Sequence, residues 1–419
     1  MTWQNRADLS IAQGALTNSK RPSTYIENVY PTHSKGGRGA YLYAGDKRYL
    51  DFVCGLGTNL VGYAHPQIAS AIRDRYLEGS TLSLSSEIEV ELAEKLKGLM
   101  LFCDLFKFTK SGTEACNAAL RIARTYTGRE MVLSEGYHGW SDDFVSMTPP
   151  ALGVPKRSWM KPIDFSLIPE AAAVIVEPVL LDWSLERKAY LEKLKLECNK
   201  YGTVLIFDEI ITGFRFPRYC VANYWGVQPD MILLGKAMGG GMPLSAIGGR
   251  REIMNCGEYF ISGTFFGETV SMAACRELIN IVHRDGSNFS MKRLFEEGEK
   301  FLNAFNALEP KLKIVGYPSR GAFQGDEMTK ALFWQESLKA GVLFGPSWFF
   351  SIPLSEFTDQ LMPVFRDIFH KIRTGQVRLE GKLPKKPFAA QVRENGSGVK
   401  ETVRAERASE CHEEVSLRS

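Results

Sequence analysis

Two short apolar runs constrain the fold of this chain more than any other feature. Residues 204–207 (VLIF) precede Asp208, and residues 231–234 (MILL) precede Lys236 after one glycine. Runs of this length without a polar residue are typical of strands buried on both faces of a parallel sheet. Ligands of open α/β sheets bind at the carboxyl ends of such strands. The sequence therefore predicts that Asp208 and Lys236 lie close together at one edge of a sheet.

Each of these two polar residues has a chemical and a structural interpretation. A lysine among small residues with little competing charge can lose its proton and attack a carbonyl carbon. A buried aspartate can hold a pyridine nitrogen protonated, which makes a pyridoxal ring an electron sink. Alternatively, Asp208 caps the next helix and Lys236 is a solvated loop residue. The two residues alone leave both interpretations open.

Composition excludes several functional classes. The formal net charge of +3 over 419 residues is too small to indicate nucleic acid or an anionic membrane as partner. The eight cysteines form no C-x-x-C pair, which argues against a metal site or a disulfide scaffold and favours the reducing cytoplasm. The start of the chain lacks the apolar core of a signal peptide, and no apolar run reaches the roughly 18 residues of a membrane span. We expect a cytoplasmic enzyme without a metal.

Strand and helix patterns alternate along most of the chain, which predicts an α/β fold with a mainly parallel sheet. A smaller α+β domain is predicted to follow. Residues 146–170 are rich in proline and are predicted to form a mobile loop over the site. The predicted division is an amino-terminal segment that joins the small domain, a large domain, a carboxy-terminal small domain and a disordered tail, at residues 1–60, 61–290, 291–380 and 381–419.

A strand pattern followed by Ser111-Gly112-Thr113 predicts an anion site. Free backbone N–H groups at the start of the following helix, together with the helix dipole, favour a phosphate there. A helix cap without a ligand is the alternative. The turn is not a Walker loop, because Lys110 precedes the serine. Gly55 and Gly57 lack the spacing of a dinucleotide-binding loop.

Two further strand patterns end on polar residues. Residues 131–134 lead to Tyr137 and His138, and residues 173–176 lead to Glu177. An aromatic ring at a strand end can stack on a planar cofactor. A core tyrosine and a structural histidine are the alternatives.

In combination these motifs resemble the class III aminotransferases of pyridoxal-phosphate fold type I, and among them the glutamate-1-semialdehyde 2,1-aminomutases. The resemblance covers about residues 20–375. It is carried by five motifs in the expected order: SGTEA at 111–115, YHG at 137–139, EP at 177–178, DEIITGFR at 208–215 and GKAMGGGMP at 235–243.

The resemblance implies a seven-stranded, mainly parallel sheet in the large domain and pyridoxal 5′-phosphate as cofactor. It makes Lys236 the residue that forms the Schiff base and moves the proton, and Asp208 the partner of the pyridine nitrogen. Thr264 would reach the phosphate of a neighbouring subunit, which implies a homodimer with shared sites. The remaining cofactor residues it implies are Ser111, Gly112, Thr113, Tyr137, His138, Glu177 and Ile210. Arg215 and Arg320 are candidates for a substrate carboxylate, with a structural ion pair as the alternative for each.

The chain departs from the aminomutase pattern in three segments. Residues 139–177 are shorter than expected, residues 267–269 (GET) replace an Asn-Pro pair, and residues 347–351 (SWFFS) stand where the aminomutase has an acid. The sequence therefore predicts an aminotransferase that acts on a small amino donor and a carbonyl acceptor. The alternatives are an aminomutase, a decarboxylase or epimerase on the same scaffold, and a non-catalytic binding subunit.

Overall fold

A seven-stranded sheet forms the centre of the computed structural model, which describes residues 1–148, 151–155, 157–284 and 289–385. One strand, β10 (Ser245–Gly249), runs antiparallel to both of its neighbours, and the other pairs are parallel. The predicted α/β fold with a mainly parallel sheet is therefore confirmed. The strands, numbered along the chain and given in their order across the sheet, are β4 (Leu105–Thr109), β10 (Ser245–Gly249), β9 (Met231–Leu234), β8 (Val204–Glu209), β7 (Ala173–Val176), β5 (Val132–Glu135) and β6 (Met160–Pro162).

Side chains of the central strands alternate between two apolar layers. In β8, Leu205 and Phe207 pack into one layer, whereas Val204 and Ile206 pack into the other. This is the period of two that a strand imposes, and both layers exclude water. The first layer is covered by α4 (Glu87–Leu99), α7 (Leu185–Tyr201) and α10 (Thr269–Val282), and the second by α5 (Gly112–Thr127) and α9 (Arg251–Met254).

Two small sheets lie outside the central sheet, and one of them joins the beginning of the chain to its later part. One contains β1 (Gly36–Arg38), β2 (Tyr41–Ala44), β3 (Lys47–Asp51) and β13 (Val342–Leu343), and the other contains β11 (Leu312–Tyr317), β12 (Arg320–Gly325) and β14 (Trp348–Phe349). β13 pairs in parallel with β3, so that Val342 lies opposite Leu50. This pairing agrees with a small domain built from both ends of the chain, although the domain boundaries themselves stay predictions.

The remaining helices connect these sheets or lie at their borders. They are α1 (Trp3–Ser10), α2 (Cys54–Gly57), α3 (Pro66–Leu77), α6 (Asp142–Val145), α8 (Val221–Trp225), α11 (Phe289–Asn306), α12 (Glu327–Lys339) and α13 (Thr358–Arg373). No helix in the described ranges is both long and apolar enough to cross a membrane.

Two predicted irregular segments contain ordered structure. Residues 146–170 include β6, which pairs in parallel with β5, and a 3-10 helix at Phe165–Glu170. Pro162 is tolerated in β6 because the strand lies at the sheet edge, where a missing N–H costs no ladder bond. At the other segment, Lys385 N donates to Ser23 O at 2.7 Å and the Lys382 ammonium lies 3.1 Å from Glu27. The predicted tail thus begins with residues held against the amino-terminal segment, and its residues 386–419 lie outside the described part.

Candidate active site

A cavity of about 260 Å³ lies at the carboxyl ends of the parallel strands. Its wall is formed by segments that directly follow β4, β5, β7, β8 and β9. Nine residues predicted from the sequence line it together: Ser111, Gly112, Thr113, Tyr137, His138, Glu177, Asp208, Ile210 and Lys236. The expectation that Asp208 and Lys236 lie at one sheet edge therefore agrees with the structure.

Asp208 is buried near the end of β8 and is held by three donors. Its Oδ2 lies 2.7 Å from His138 Nδ1 and 3.5 Å from Cys116 Sγ, and its Oδ1 accepts the Ile210 N–H at 3.0 Å. None of the three carries a fixed positive charge. Asp208 is thus oriented firmly without being neutralised by an arginine or a surface lysine.

His138 is held through both of its ring nitrogens. Its Nε2 lies 3.1 Å from the carbonyl oxygen of Glu135, which can only accept, so Nε2 carries a hydrogen. Its Nδ1 lies 2.7 Å from Asp208 Oδ2. The imidazole therefore fixes the position of the Asp208 carboxyl group relative to β5.

Lys236 follows β9 and is only partly buried, at the cavity wall. Burial lowers the pKa of its ammonium group from the usual value, and the nearby acids Asp208 and Glu177 oppose this shift. The backbone at Lys236 has a φ of 43°, a left-handed conformation that is rare outside glycine and is typical of functional sites. The interpretation of Lys236 as an ordinary solvated loop residue does not account for this setting.

Ser111, Gly112 and Thr113 form the first turn of α5. Ser111 is the helix cap, and the Glu114 carboxylate reaches back to accept the N–H groups of Ser111 and Lys110, at 2.8 and 3.0 Å. This is a capping box, so the structural interpretation of the motif holds. The N–H groups of Gly112 and Thr113 have no partner within the helix and remain for an anion.

Two glycines at the cavity lie so close to neighbouring residues that a larger side chain would not fit. A Cβ placed on Gly112 would lie 2.7 Å from Ile210 Cδ1, and one on Gly139 would lie 2.3 Å from Thr113 Oγ1. Tyr137, with a side chain about half exposed, and the mostly buried Ile210 both line the cavity. Apolar surfaces, a backbone anion site, a buried acid and an amine are together a donor set that fits pyridoxal phosphate.

Glu177 and Glu209 are both buried carboxyl groups. Glu177 lines the cavity and accepts the Tyr137 N–H at 2.7 Å, and burial together with Asp208 raises its pKa. Glu209 points to the other side, where it accepts the N–H groups of Val221 and Ala222, each at 2.8 Å. Burial raises the pKa of Glu209 to about 7. Glu209 therefore holds the start of α8, and Glu177 belongs to the cavity.

Arg215 has the structural role that the sequence left open. Its guanidinium is fully buried and donates to the carbonyl oxygens of Gly57, Ser319 and Phe350, at 2.6, 3.2 and 3.1 Å. It does not line the cavity. The structure argues against Arg215 as a ligand of a substrate carboxylate, because its guanidinium already donates hydrogen bonds to these three carbonyl oxygens.

Arg320 and Thr264 also lie outside the cavity lining. Arg320 is half-buried at the start of β12 and donates to the Leu180 carbonyl oxygen, in the segment after Glu177. Thr264 is exposed, beside the exposed side chain of Phe265. The structure thus separates these two predicted site residues from the other nine.

Sequence reasoning missed two residues that touch this site. Cys116 is a buried residue of α5 whose thiol lies beside Asp208, and Lys110 lines the cavity next to the anion turn. Cys116, His138 and Asp208 are close enough to ligate a metal ion, but their hydrogen bonds to one another already account for the cluster. The spacing of Cys116 five residues after the cap was the only available signal, and it is a weak one.

Comparison with known proteins establishes the family. The chain matches the family described as aminotransferase class III over residues 25–168 and 164–372, and it belongs to that family. With the fold, this identifies the chain as a pyridoxal-phosphate-dependent enzyme.

Two curated relatives carry the same name. The chain is 32% identical over 387 residues to the glutamate-1-semialdehyde 2,1-aminomutase of Syntrophobacter fumaroxidans, covering 81% of this chain and 89% of the relative. It is 36% identical over 287 residues to that of Nitrosospira multiformis, covering 61% and 68%.

Solved structures with the same fold carry more varied names. The FumI protein of Sphingopyxis sp. MTA144 superposes with a TM-score of 0.82 at 24% identity, over 91% of this chain and 98% of that one. A glutamate-1-semialdehyde aminomutase of Pseudomonas aeruginosa PAO1 superposes with a TM-score of 0.75 at 19% identity, over 88% and 93%. At these identities the structures show the fold alone.

Proposed function

We propose that this protein moves an amino group from a small amino donor to a small carbonyl acceptor. The observation that carries the proposal is the single cavity in which Lys236, the Asp208–His138 pair and the first turn of α5 meet. An amine, a buried acid and an anion site are what amino-group transfer with pyridoxal phosphate requires.

Lys236 is the proposed nucleophile and proton carrier. Because burial lowers the pKa of its ammonium, a larger fraction is neutral near pH 7 than for a solvated lysine, and only the neutral amine attacks a carbonyl. Its position at the cavity wall allows the same amine to move a proton at the amine-bearing carbon of the substrate.

Asp208, Tyr137 and Ile210 are the proposed holders of the ring. When bound, pyridoxal phosphate supplies an electron sink for the pair released at the substrate carbon. Asp208 would keep a proton on the ring nitrogen, since its own position is fixed by His138 and by the Ile210 N–H. Tyr137 and Ile210 would cover the ring faces and exclude water.

The proposed substrates carry a carboxylate, which the positive charge of Arg320 would attract from outside the cavity lining. Its Nε has no hydrogen-bond partner although it is buried, and its charge acts on both Glu177 and Lys236, which line the cavity. We expect Arg320→Met to raise KM for amino acids by about 10-fold, the loss of roughly 1.4 kcal/mol of attraction between charged groups. Amines without a carboxylate would be unaffected. An equal loss for both substrate types would remove Arg320 from the proposal.

An intramolecular aminomutase is the second candidate, favoured by the names of the sequence relatives. Against it, Phe349 and Phe350 are buried in the segment where an acid was expected, and the Phe350 carbonyl accepts from Arg215. Incubation with glutamate-1-semialdehyde separates the two. An aminomutase forms 5-aminolevulinate without any keto acid, whereas an aminotransferase needs an added acceptor for turnover.

A homodimer with shared sites and a cytoplasmic location complete the proposal. Exposed Thr264 and Phe265 support a contact of this turn with a second copy of the chain. All seven cysteines in the described part are free, which is usual in a reducing compartment. Light scattering after gel filtration tests the dimer, and Thr264→Ala should weaken cofactor retention without changing the mass.

The visible absorption spectrum of the purified protein tests the proposal as a whole. We expect a yellow protein whose colour borohydride removes and an amino donor bleaches. Lys236→Ala should lack that band. A colourless wild-type protein that takes up no pyridoxal phosphate would refute the proposed function.

A further inference from the structure

A charged pair lies beside the anion turn at the start of α5. The Lys110 ammonium donates to Glu268 Oε2 at 2.9 Å and is 3.4 Å from the Glu268 carbonyl oxygen. Each side chain of the pair is only 15% exposed. Lys110 itself lines the cavity, directly before Ser111. Lys110 therefore belongs to the wall of the site, and its partner Glu268 is likewise largely shielded from solvent.

Glu268 is fixed independently of Lys110. It caps α10, where its carboxylate accepts the Ser271 N–H at 3.2 Å and the Ser271 hydroxyl at 2.6 Å. A carboxylate at this helix end is also stabilised by the helix dipole. Glu268 can therefore hold the Lys110 ammonium in one place, because its own position does not depend on the lysine.

The anion turn is short of donors. Of the N–H groups at its start, those of Lys110 and Ser111 are bound to the Glu114 carboxylate, at 3.0 and 2.8 Å. The turn thus keeps the N–H groups of Gly112 and Thr113, and it has a negative charge close by. A dianionic phosphate placed there needs a compensating cation.

We propose that Lys110 supplies this cation and binds the phosphate of pyridoxal phosphate, with Glu268 as the residue that positions it. An ammonium has three N–H donors, and the two contacts to Glu268 leave one for the phosphate. The inference rests on the proposed function in that it requires pyridoxal phosphate to occupy this cavity. It assigns to Lys110 a contact that backbone N–H groups alone do not provide.

The test compares two probes that differ only in the phosphate. Protein freed of cofactor by dialysis is titrated with pyridoxal phosphate and with pyridoxal, and the dissociation constants are read from absorbance. Inorganic phosphate serves as a competitor. The variants are Lys110→Met, Lys110→Gln, which keeps a donor for Glu268 without the charge, and Lys110→Arg, which keeps the charge. Lys107→Met, on β4 and outside the cavity lining, is the matched control for a lost lysine.

We expect Lys110→Met and Lys110→Gln to raise the dissociation constant for pyridoxal phosphate by about 10- to 100-fold, which corresponds to the loss of one charge-assisted contact. The dissociation constant for pyridoxal should stay within about 2-fold of the wild-type value. Phosphate should compete less well with the variants. Lys110→Arg and Lys107→Met should bind like the wild type. Thermal denaturation of each variant identifies any that does not fold, and the ratio of the two constants is taken from folded variants.

Two results overturn the inference, and they are distinguishable. If Lys110→Met and Lys110→Gln keep wild-type affinity for pyridoxal phosphate, Lys110 does not bind the phosphate and the pair is structural. The same conclusion follows if their affinity for pyridoxal falls as much as their affinity for pyridoxal phosphate. If the wild-type protein binds neither probe, the proposed function fails and this inference fails with it.

Discussion

The two ends of the central strands carry two cavities, and the charged groups of the two are paired in different ways. A cavity of about 670 Å³ lies at the amino ends of β8 and β9, lined by Asp230, Lys195 and Arg250. There Asp230 is buried and contacts Lys195 Nζ at 2.6 Å and Arg250 Nη2 at 2.9 Å. Its second oxygen accepts the Leu205 N–H at 2.8 Å. The charges in this region are satisfied by one another.

The smaller cavity at the carboxyl ends also contains an aspartate and lysines, in a different arrangement. Asp208 is as buried as Asp230, but its donors are His138, Cys116 and a backbone N–H. Of the two lysines that line this cavity, Lys236 has a lowered pKa because burial outweighs the acids around it. A buried lysine with a lowered pKa beside a buried acid is typical of functional sites, so we expect the chemistry in the smaller cavity.

The largest expected effect is the difference in turnover between variants of Lys236 and Lys195, one lysine from each cavity. Lys236→Ala should reduce turnover by about 10⁴-fold or more, as the loss of a covalent nucleophile does. Lys195→Ala, the matched control, should leave kcat within about 2-fold, since its ammonium only pairs with Asp230. Steady-state kinetics with an amino donor and a keto acid measure both. A strong kinetic effect of Lys195→Ala would show that the amino-end cavity takes part in catalysis.

Substitution of Asp208 should lower kcat and substitution of Asp230 should not, with a smaller difference than between the two lysines. Asp208→Asn should lower kcat by about 10²- to 10⁴-fold, because the proton on the ring nitrogen would no longer be held. Asp230→Asn should leave kcat unchanged and lower the free energy of unfolding by about 1–3 kcal/mol, since Lys195 and Arg250 lose their partner but remain partly solvated. Kinetics and urea denaturation are measured on both variants. If Asp208→Asn lowers the free energy of unfolding but leaves kcat unchanged, the expected difference between the two aspartates is wrong.

The buried acid Glu209 should give the protein a pH-dependent stability. Its pKa in the folded protein is about 7, above the usual 4.5, so the folded state holds an extra proton between these pH values. The free energy of unfolding should therefore fall as pH rises from 4.5 to 7, by roughly 3 kcal/mol at most from this group. Urea denaturation from pH 4.5 to 8 measures this fall. Glu209→Gln should be less stable throughout, because its amide has one acceptor oxygen where the carboxylate had two, so that one of the N–H groups of Val221 and Ala222 loses its acceptor; its curve should lack this component. An unchanged slope in the variant would assign the fall to other groups.

The smallest expected effect compares two buried cysteines. Cys116→Ala removes a weak donor to Asp208 and should lower kcat by about 2- to 10-fold. Cys198→Ala, at the amino-end cavity, should leave kcat unchanged and cost about 1 kcal/mol of stability. Cys116→Ser, which keeps a donor, should recover most of the lost rate. Equal kinetics for both alanine variants would mean that the thiol contact has no role in the site.

The sequence was most informative where one local signal decides the structure. The apolar runs at 204–207 and 231–234 predicted β8 and β9, because few other structures bury a run of that length on both faces. The Ser-Gly-Thr turn was found for a similar reason, since helix capping depends on residues only three apart.

The sequence was least informative where the structure depends on distant partners. β10 is short and glycine-rich, and only its neighbours β4 and β9 make it a strand. The contacts of Arg215 with Ser319 and Phe350, and of Lys110 with Glu268, each join residues more than 100 positions apart. Such pairs leave no periodic pattern in a single sequence.

The pairing of β3 with β13 sets an order of events during protein synthesis. β3 ends at Asp51, and its parallel partner begins only at Val342. At the usual 5–20 residues per second, the ribosome needs roughly 15 to 60 s to produce the missing strand. During that time one edge of the amino-terminal sheet is open to other nascent chains. A chaperone that binds early would protect this protein at its first 51 residues, long before its active site exists.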